Sequence, residues 1–192
     1  MSSNISNVNI PKSPFLDTQT NRPSREWLLY LLGLGRYLGY GAFQNTANQT
    51  FATANTPTLL AVNTTDYANG MYYATGDGFH VLQNGIYNVQ YSLQMANPDT
   101  SIHDMEIWLR KNGVDVPGTA TKFSLTAKHG SVDGYTVPVA NFYIQLNAGD
   151  YVELWASVDS TQVYIEAYPA QTSPFARPAI PSTVITVNQV SF

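Results

Sequence analysis

The sequence predicts an all-β fold in which two antiparallel sheets pack face to face. Three observations support this prediction. From Tyr40 onward the 192-residue chain is rich in β-branched and aromatic residues and has no long helical pattern. Turn-forming residues recur about every eight to twelve residues. Apolar and polar residues alternate along several segments, as they do in strands with one buried face.

The first element is an N-terminal segment, residues 1–23, that is rich in Ser and Asn. Pro11, Pro14 and Pro23 fix their own backbone angles and favour extended geometry in the residues before them. We therefore expect an extended arm. Its role is left open between a flexible tail and a docking peptide that presents Phe15 and Leu16.

A short helix is predicted to follow, with Ser24 as its capping residue and Glu26 in its first turn. Gly33 and Gly35 end or loosen it. Apolar residues surround nearly the whole helix, and such a helix has to be enclosed. The residues expected to be hidden in an assembly are Trp27, Leu28, Leu29, Leu31 and Leu32.

Two interpretations of this helix remain open. It packs across the end of its own domain, or it is buried against neighbouring copies or a larger assembly, since contiguous apolar surface marks an interface. The run from Trp27 to Tyr40 contains Arg36 and is shorter than the roughly 20 apolar residues that a bilayer helix needs, so we expect no membrane span. The chain is thus divided into residues 1–39, the docking arm and apolar helix, and residues 40–192, the β domain.

The β domain is predicted to contain about eleven short strands. In the segment IYNVQYSLQM, Tyr87, Val89 and Leu93 share the face expected to be buried, and in DYVELWASV the apolar residues line up in the same way. The candidate strands are Phe51 to Ala54, Thr58 to Val62, Met71 to Thr75, Phe79 to Leu82, Ile86 to Met95, Asp104 to Arg110, Phe123 to Thr126, Thr136 to Leu146, Tyr151 to Val158, Tyr164 to Tyr168 and Val184 to Val190.

Tight turns are predicted at three places between these strands. Asn84-Gly85, Asn112-Gly113 and the segment from Asn147 to Asp150 contain Gly or Asn where turns demand a positive φ. Asp150 is expected to accept hydrogen bonds from local amides.

Composition excludes several classes of function. The chain has a net charge of −4 and its nine Lys and Arg residues are scattered, which argues against binding to nucleic acid. It has no Cys, which excludes disulfides, thiolate zinc sites and a cysteine nucleophile. The first residues lack a basic region followed by an apolar one, so we expect no cleaved secretory signal.

Three segments give the β domain a family resemblance. They are GDGFHVLQNGIYNVQYSL, MEIWLRKNGVDV and FYIQLNAGDYVELWAS. In this order and spacing they resemble hairpins of the trimeric jelly-roll superfamily that includes tumour necrosis factor and the globular head of complement's first component. The resemblance covers residues 40–192 and implies a jelly-roll sandwich in a homotrimer with aromatic residues near its axis.

The N-terminal segment resembles a different group of proteins. PKSPFLDTQTNRPSREWLLYL is similar to the opening of structural proteins from tailed bacteriophages, where such a stretch precedes an outer β-rich domain. This resemblance implies a virion protein, assembled in the host cytoplasm, whose partners are capsid or tail proteins. The expected function is a trimeric decoration (cement) protein or short fibre anchored by its N-terminal segment. The alternative is the receptor- or glycan-binding head of a tail fibre. A third possibility, a secreted ligand-like domain, would need an export signal, which we do not expect here.

Catalytic chemistry is not expected. The three histidines are widely spaced, and no Gly-x-Ser-x-Gly motif occurs. No cofactor is predicted; a calcium site built from loops is left open, although no loop has dense acidic spacing. Aromatic rings can stack on sugars while neighbouring amides bind hydroxyls. The residues proposed for such a ligand surface are Tyr67, Tyr72, Tyr73, Tyr135 and Tyr168.

Overall fold

The fold is described from a computed structural model, which covers residues 11–34 and 38–191, excepting the side chains of residues 32–34. The chain divides into two compact units, the second beginning at Leu38. The second unit is built of antiparallel sheets packed as a sandwich. The predicted all-β, jelly-roll-like fold is therefore confirmed.

The first unit contains a turn followed by a short helix, α1 (Arg25–Leu34). The turn is closed by a bridge between Leu16 and Pro23, and the carboxylate of Asp17 accepts hydrogen bonds from the amides of Gln19 and Thr20. The helix begins directly after Ser24, as predicted. The capping bond is not formed, however, because the Ser24 hydroxyl has no hydrogen-bond partner among the described residues.

Sixteen strands are formed by the described residues of the second unit. In chain order they are β1 Tyr40–Asn45, β2 Gln49–Thr50, β3 Thr58–Leu59, β4 Thr64–Asn69, β5 Met71–Ala74, β6 Gly78–Val81, β7 Gly85–Leu93, β8 Met95–Asn97, β9 His103–Lys111, β10 Val114–Asp115, β11 Thr121–Leu125, β12 Gly134–Thr136, β13 Val139–Leu146, β14 Tyr151–Val158, β15 Tyr164–Ile165 and β16 Thr183–Ser191.

Two large sheets and one small sheet make up the sandwich. The five-stranded sheet has the order β13-β7-β16-β1-β4, and the seven-stranded sheet has the path β10-β9-β14-β6-β5, with β11 added beside β9 and β3 beside β14. The small sheet, β12-β8-β15-β2, contains the continuation of β7 after Gln94. From β7 onward the long strands belong alternately to the two large sheets, a pattern found in jelly rolls.

The core follows the alternation that the sequence predicts. Along β7 the buried residues are Tyr87, Val89, Tyr91 and Leu93, and their neighbours face outward. On β14 the predicted apolar face is buried in the same way. Full burial of a large apolar side chain contributes about 1.5–3 kcal/mol, so the alternation fixes which face of each strand packs inward.

The turns agree with the sequence at two of the three predicted places. Asn112 and Gly113 both have positive φ, 51° and 77°, and Gly149 has a φ of 91°. Asp150 accepts a hydrogen bond from the amide of Asn147 at 2.8 Å, which with Lys111 and Asn112 lowers its pKa to about 2. The prediction for Asn84-Gly85 was wrong, because Gly85 begins β7 without a positive φ; glycine is required there since a Cβ would collide with the Ser191 carbonyl oxygen.

Other differences from the predicted strands have local causes. The predicted strand from Phe51 to Ala54 is a bend, in which Phe51 is buried as an anchor for the loop. The sequence analysis missed β1 and β4, which pair with each other through a register shift at Ala42 and Phe43. Few β-branched residues mark β1, and a glycine in it, Gly41, lies against the Phe43 ring, where a Cβ would collide.

We expect Gly78→Ala to destabilise the fold much more than Gly76→Ala. Both glycines have positive φ, but a Cβ at Gly78 would lie 2.6 Å from the Val152 carbonyl oxygen, whereas one at Gly76 would meet no described atom within 4 Å. Urea unfolding should show a loss of more than about 3 kcal/mol for Gly78→Ala and about 1 kcal/mol for Gly76→Ala. Equal losses would contradict the close approach of β6 and β14.

Candidate assembly surfaces and ligand site

The outer surface of the five-stranded sheet is free of charge over four adjacent strands. Strands β13, β7, β16 and β1, all within the described residues, contain no Asp, Glu, Lys, Arg or His. We call their outward-facing side chains the neutral face. Its members are Val139, Asn141, Tyr143, Gln145, Ile86, Asn88, Gln90, Ser92, Val184, Thr186, Asn188, Val190, Tyr40, Ala42 and Gln44.

Register places amides between aromatic rings in the middle of the neutral face. Tyr143 lies opposite Asn88, Asn88 opposite Asn188, and Asn188 opposite Tyr40. The two tyrosines are 68% and 48% exposed. The Asn88 side-chain oxygen is buried and has no hydrogen-bond partner among the described residues. A buried acceptor of this kind has a free-energy cost within the chain. The amides that the face offers to a partner are the exposed ones, such as Gln90 and Asn188.

The outer surface of the seven-stranded sheet has the opposite character. Arg110 lies over the Trp155 ring at 3.9 Å and donates to Asp115 at 2.5 Å. The Arg110 guanidinium and the Trp108 indole N–H both lower the pKa of Asp115. Lys122 and Asp104 form a second ion pair on this surface, with a nitrogen–oxygen distance of 2.7 Å. Networks of this kind are typical of solvated surfaces, so the sandwich has one charged face and one neutral face.

Trp27 organises the first unit. Its indole N–H donates to the Ser13 carbonyl oxygen at 2.8 Å, and its ring meets the edges of Phe15 and Tyr30 at centroid distances of 5.5 and 5.6 Å. These contacts attach the turn to the first half of α1. Trp27 is therefore a structural residue of this unit as well as a member of the predicted docking set.

The other predicted docking residues are largely exposed. The exposed fractions are 48% for Phe15, 43% for Leu16, 48% for Leu28, 56% for Leu29 and 42% for Leu31. The side chain of Leu32 lies outside the described residues. Five apolar side chains between residues 15 and 31 are thus each more than 40% exposed, and a concentration of this kind is typical of an interaction surface. What covers it stays a prediction.

The five tyrosines proposed for a ligand surface do not lie together. Tyr67 is 72% exposed on the edge strand β4, next to the neutral face. Tyr72 stacks on His80 at 4.9 Å on the other large sheet. Tyr73 packs against Phe43 and Phe79 at the rim of the core. The sequence could not distinguish these places because it does not show which strands share a sheet.

Tyr135 and Tyr168 are the pair that the structure brings together. Their ring centroids are 6.5 Å apart, and Arg177 lies over the Tyr168 ring at 5.3 Å. The Tyr168 hydroxyl donates to Glu166 at 2.5 Å, and burial together with this carboxylate raises the pKa of Tyr168. A cavity of about 270 Å³ lies beside Tyr168 and is also lined by Asn48 and Thr46. Tyr168, which lines this cavity and contacts both Tyr135 and Arg177, is the centre of a candidate carbohydrate site.

Sequence analysis missed a cluster of three titratable side chains centred on His103. His103 contacts Asp159 through Nδ1 at 3.0 Å and Asp99 through Nε2 at 2.8 Å. Asp104, adjacent to His103 in sequence, instead bonds Lys122 and Ser124, as expected for neighbours on opposite faces of a strand. The four-residue spacing of Asp99 and His103 was a usable signal, but Asp159 is 56 residues away and had none.

Three Asp residues near the loops, where a calcium site was left open, contact histidines or a lysine. Asp77 contacts His80 at 2.7 Å, Asp99 contacts His103, and Asp104 contacts Lys122. Among the described residues no group of three His, Cys, Asp or Glu side chains could hold a metal ion. No helix in this part of the chain is long and apolar enough to cross a membrane.

Comparison with protein-family models finds no match for this chain, and comparison with curated protein sequences finds none either. The candidate sites above therefore rest on the geometry and chemistry of the chain itself.

We expect Trp27→Ala to release the turn from α1. Without the indole, both the hydrogen bond to Ser13 and the Phe15 contact are lost. Trypsin cleavage after Lys12 and Arg25 should become about tenfold faster, since proteolysis follows the population of the open form. Leu29→Ala removes a more exposed apolar side chain and serves as the control. A Trp27→Ala protein cleaved at the rate of this control would contradict the role of the indole.

Proposed function

We propose that this protein is a structural component of a bacteriophage particle. Its N-terminal unit anchors it to other virion proteins, and its sandwich is displayed as a homotrimer in a decoration protein or short fibre. The observation that carries the proposal is the neutral face, which together with the exposed apolar residues of the first unit gives the chain two surfaces suited to assembly.

The first unit supplies an anchor. Leu28, Leu29 and Leu31 are each at least 42% exposed, and Phe15 and Leu16 have similar exposed fractions. Burial of such a side chain contributes about 1.5–3 kcal/mol when complete. Several of them together offset a cost of association estimated at about 4–15 kcal/mol. A socket on capsid or tail proteins is the proposed partner, consistent with the resemblance of residues 11–31 to phage structural proteins.

The neutral face supplies contacts between copies. Interface cores are depleted of charged residues, as this face is, and Tyr143 and Tyr40 are its two aromatic side chains. The exposed Asn and Gln side chains of the face, such as Asn188 and Gln90, can exchange hydrogen bonds with the same residues of a neighbour. The charged face on the opposite sheet keeps the outside of the assembly solvated. Three copies in a closed ring follow from the resemblance of the sandwich to the trimeric jelly rolls.

The alternative is a receptor- or glycan-binding head, favoured by the cluster of Tyr135, Tyr168 and Arg177 beside its cavity. This alternative uses the same assembly and adds a ligand. Binding of the purified protein to a glycan array or to host cells would favour it. Attachment to particles without such binding would favour the decoration protein.

We expect Tyr143→Lys to dissociate the oligomer while Val114→Lys leaves it intact. The two residues are equally exposed in one chain, 68% and 69%, but Tyr143 is on the neutral face and Val114 on the seven-stranded sheet. An unpaired charge buried in an interface costs about 2–5 kcal/mol, which corresponds to an increase of about thirtyfold to several thousandfold in the dissociation constant. Light scattering coupled to size-exclusion chromatography measures the result.

A wild-type protein that is monomeric at micromolar concentration would overturn the proposed role of the neutral face. So would a Tyr143→Lys protein that dissociates no more than Val114→Lys. Circular dichroism of both variants separates dissociation from unfolding.

We expect removal of residues 1–37 to leave a folded sandwich that no longer joins particles. The division into two units at this point leaves the second unit with its own core. Co-sedimentation with particles lacking the protein measures attachment, and thermal unfolding measures the fold. A truncated protein that still binds particles would place the anchor on the sandwich.

A further inference from the structure

We propose that His103 is a pH-sensitive clamp that holds the β8–β9 loop, residues 98–102, against the end of β14. The inference is independent of the proposed function. It rests on the position of one imidazole between two carboxylates from distant parts of the chain.

The geometry requires two donors on His103. Nε2 lies 2.8 Å from an Asp99 oxygen and Nδ1 lies 3.0 Å from an Asp159 oxygen. A neutral imidazole has one donor and one acceptor, whereas an imidazolium has two donors. Ionised carboxylates only accept, and the hydrogen bond from His103 lowers the pKa of Asp99. Both bonds therefore exist together only when His103 carries a proton on each nitrogen.

The charged surroundings of His103 favour its protonated form. Asp99 comes from the β8–β9 loop and Asp159 directly follows β14. Asp104, beside His103 on β9, is paired with Lys122 of β11 at 2.7 Å. The positive charge of Lys122 is therefore compensated and does not oppose protonation of His103. The hydrogen bond to Asp99, supported by the charge of Asp159, raises the pKa of His103 above its usual value of 6.5.

The clamp joins three segments. Asp99 belongs to the β8–β9 loop, and its carbonyl oxygen accepts a hydrogen bond from the Lys128 amide at 2.8 Å. The backbone amide of Asp159 donates a hydrogen bond to the carbonyl oxygen of Asp104, a residue of β9. Loss of one proton from His103 removes one of the two side-chain bonds and leaves a lone pair facing a carboxylate. The β8–β9 loop and the end of β14 are then no longer joined through His103 by two hydrogen bonds.

The direction of the pH dependence follows from the raised pKa. The clamp contributes its full stability below about pH 6.5, the pKa of an unperturbed histidine, and loses it as the pH rises through the higher value of the folded state. The loop is held closed below about pH 6.5 and is released as the pH rises above the raised pKa of His103.

The experiment is hydrogen exchange on the full-length protein, followed by NMR from about pH 6 to about pH 9. Protection factors, which divide out the intrinsic pH dependence, are measured for the Asp99, Thr100 and Lys128 amides. We expect them to fall about tenfold as the His103 ring titrates with a midpoint above about 6.5. His103→Gln should give low protection at every pH, and Asp159→Asn should lower the midpoint.

Asp77→Asn is the matched control, because it removes the carboxylate from the other described His–Asp contact, His80 with Asp77 at 2.7 Å. It should leave the protection of the three amides and the His103 midpoint unchanged. A His103 midpoint at or below about 6.5 would overturn the clamp. Protection that stays constant while the ring titrates would overturn it as well, and both readouts come from the wild-type protein.

Discussion

The two-residue period of the β-strand is the constraint on which this structure depends. Each long strand of the five-stranded sheet contributes one row of side chains to the core and one to the outside. On β7 the inward row is Tyr87, Val89, Tyr91 and Leu93, while amide and hydroxyl side chains dominate the outward row. A shift of one residue against β16 would exchange the two rows and bury amides in place of aliphatic side chains. The register therefore fixes the core and the neutral face together.

Polar contacts fix two of the loop regions at the sandwich ends. Asp150 bonds the Asn147 amide and also Lys111 and Asn112, so one carboxylate ties two hairpins together. His103 has the corresponding role for the loops around β8 and β14. Asp150 is mostly shielded and bound by several donors, whereas the His103 contacts depend on a proton. The contacts of Asp150 therefore persist at all pH values above the acid range, whereas those of His103 are lost when its imidazolium is deprotonated.

Much of the fold could be predicted because its signals are local. Alternation identified β7 and β14 with their buried faces, and Asn112-Gly113 identified a tight hairpin. The strand β1 was missed because YGAFQN has no β-branched residue and contains a glycine required by the Phe43 ring. The contact of His103 with Asp159 was missed for a different reason, since only the finished fold brings them together. The proposed ligand surface was wrong as a group for the same reason. Tyr72 and Tyr67 belong to different sheets, which the sequence alone does not show.

The position of β16 has a consequence for biosynthesis. This strand comes after the other fifteen in sequence, yet it lies between β7 and β1 in the middle of its sheet. While the ribosome is still translating the residues before Thr183, β7 and β1 have open edges facing a gap, and open edges are templates for pairing with other chains. Closure by β16 can only follow its emergence from the exit tunnel, and pairing of such distant segments is slow. Nascent chains on one polysome are therefore at risk of exchanging this strand, and protection by a chaperone matters most in that interval.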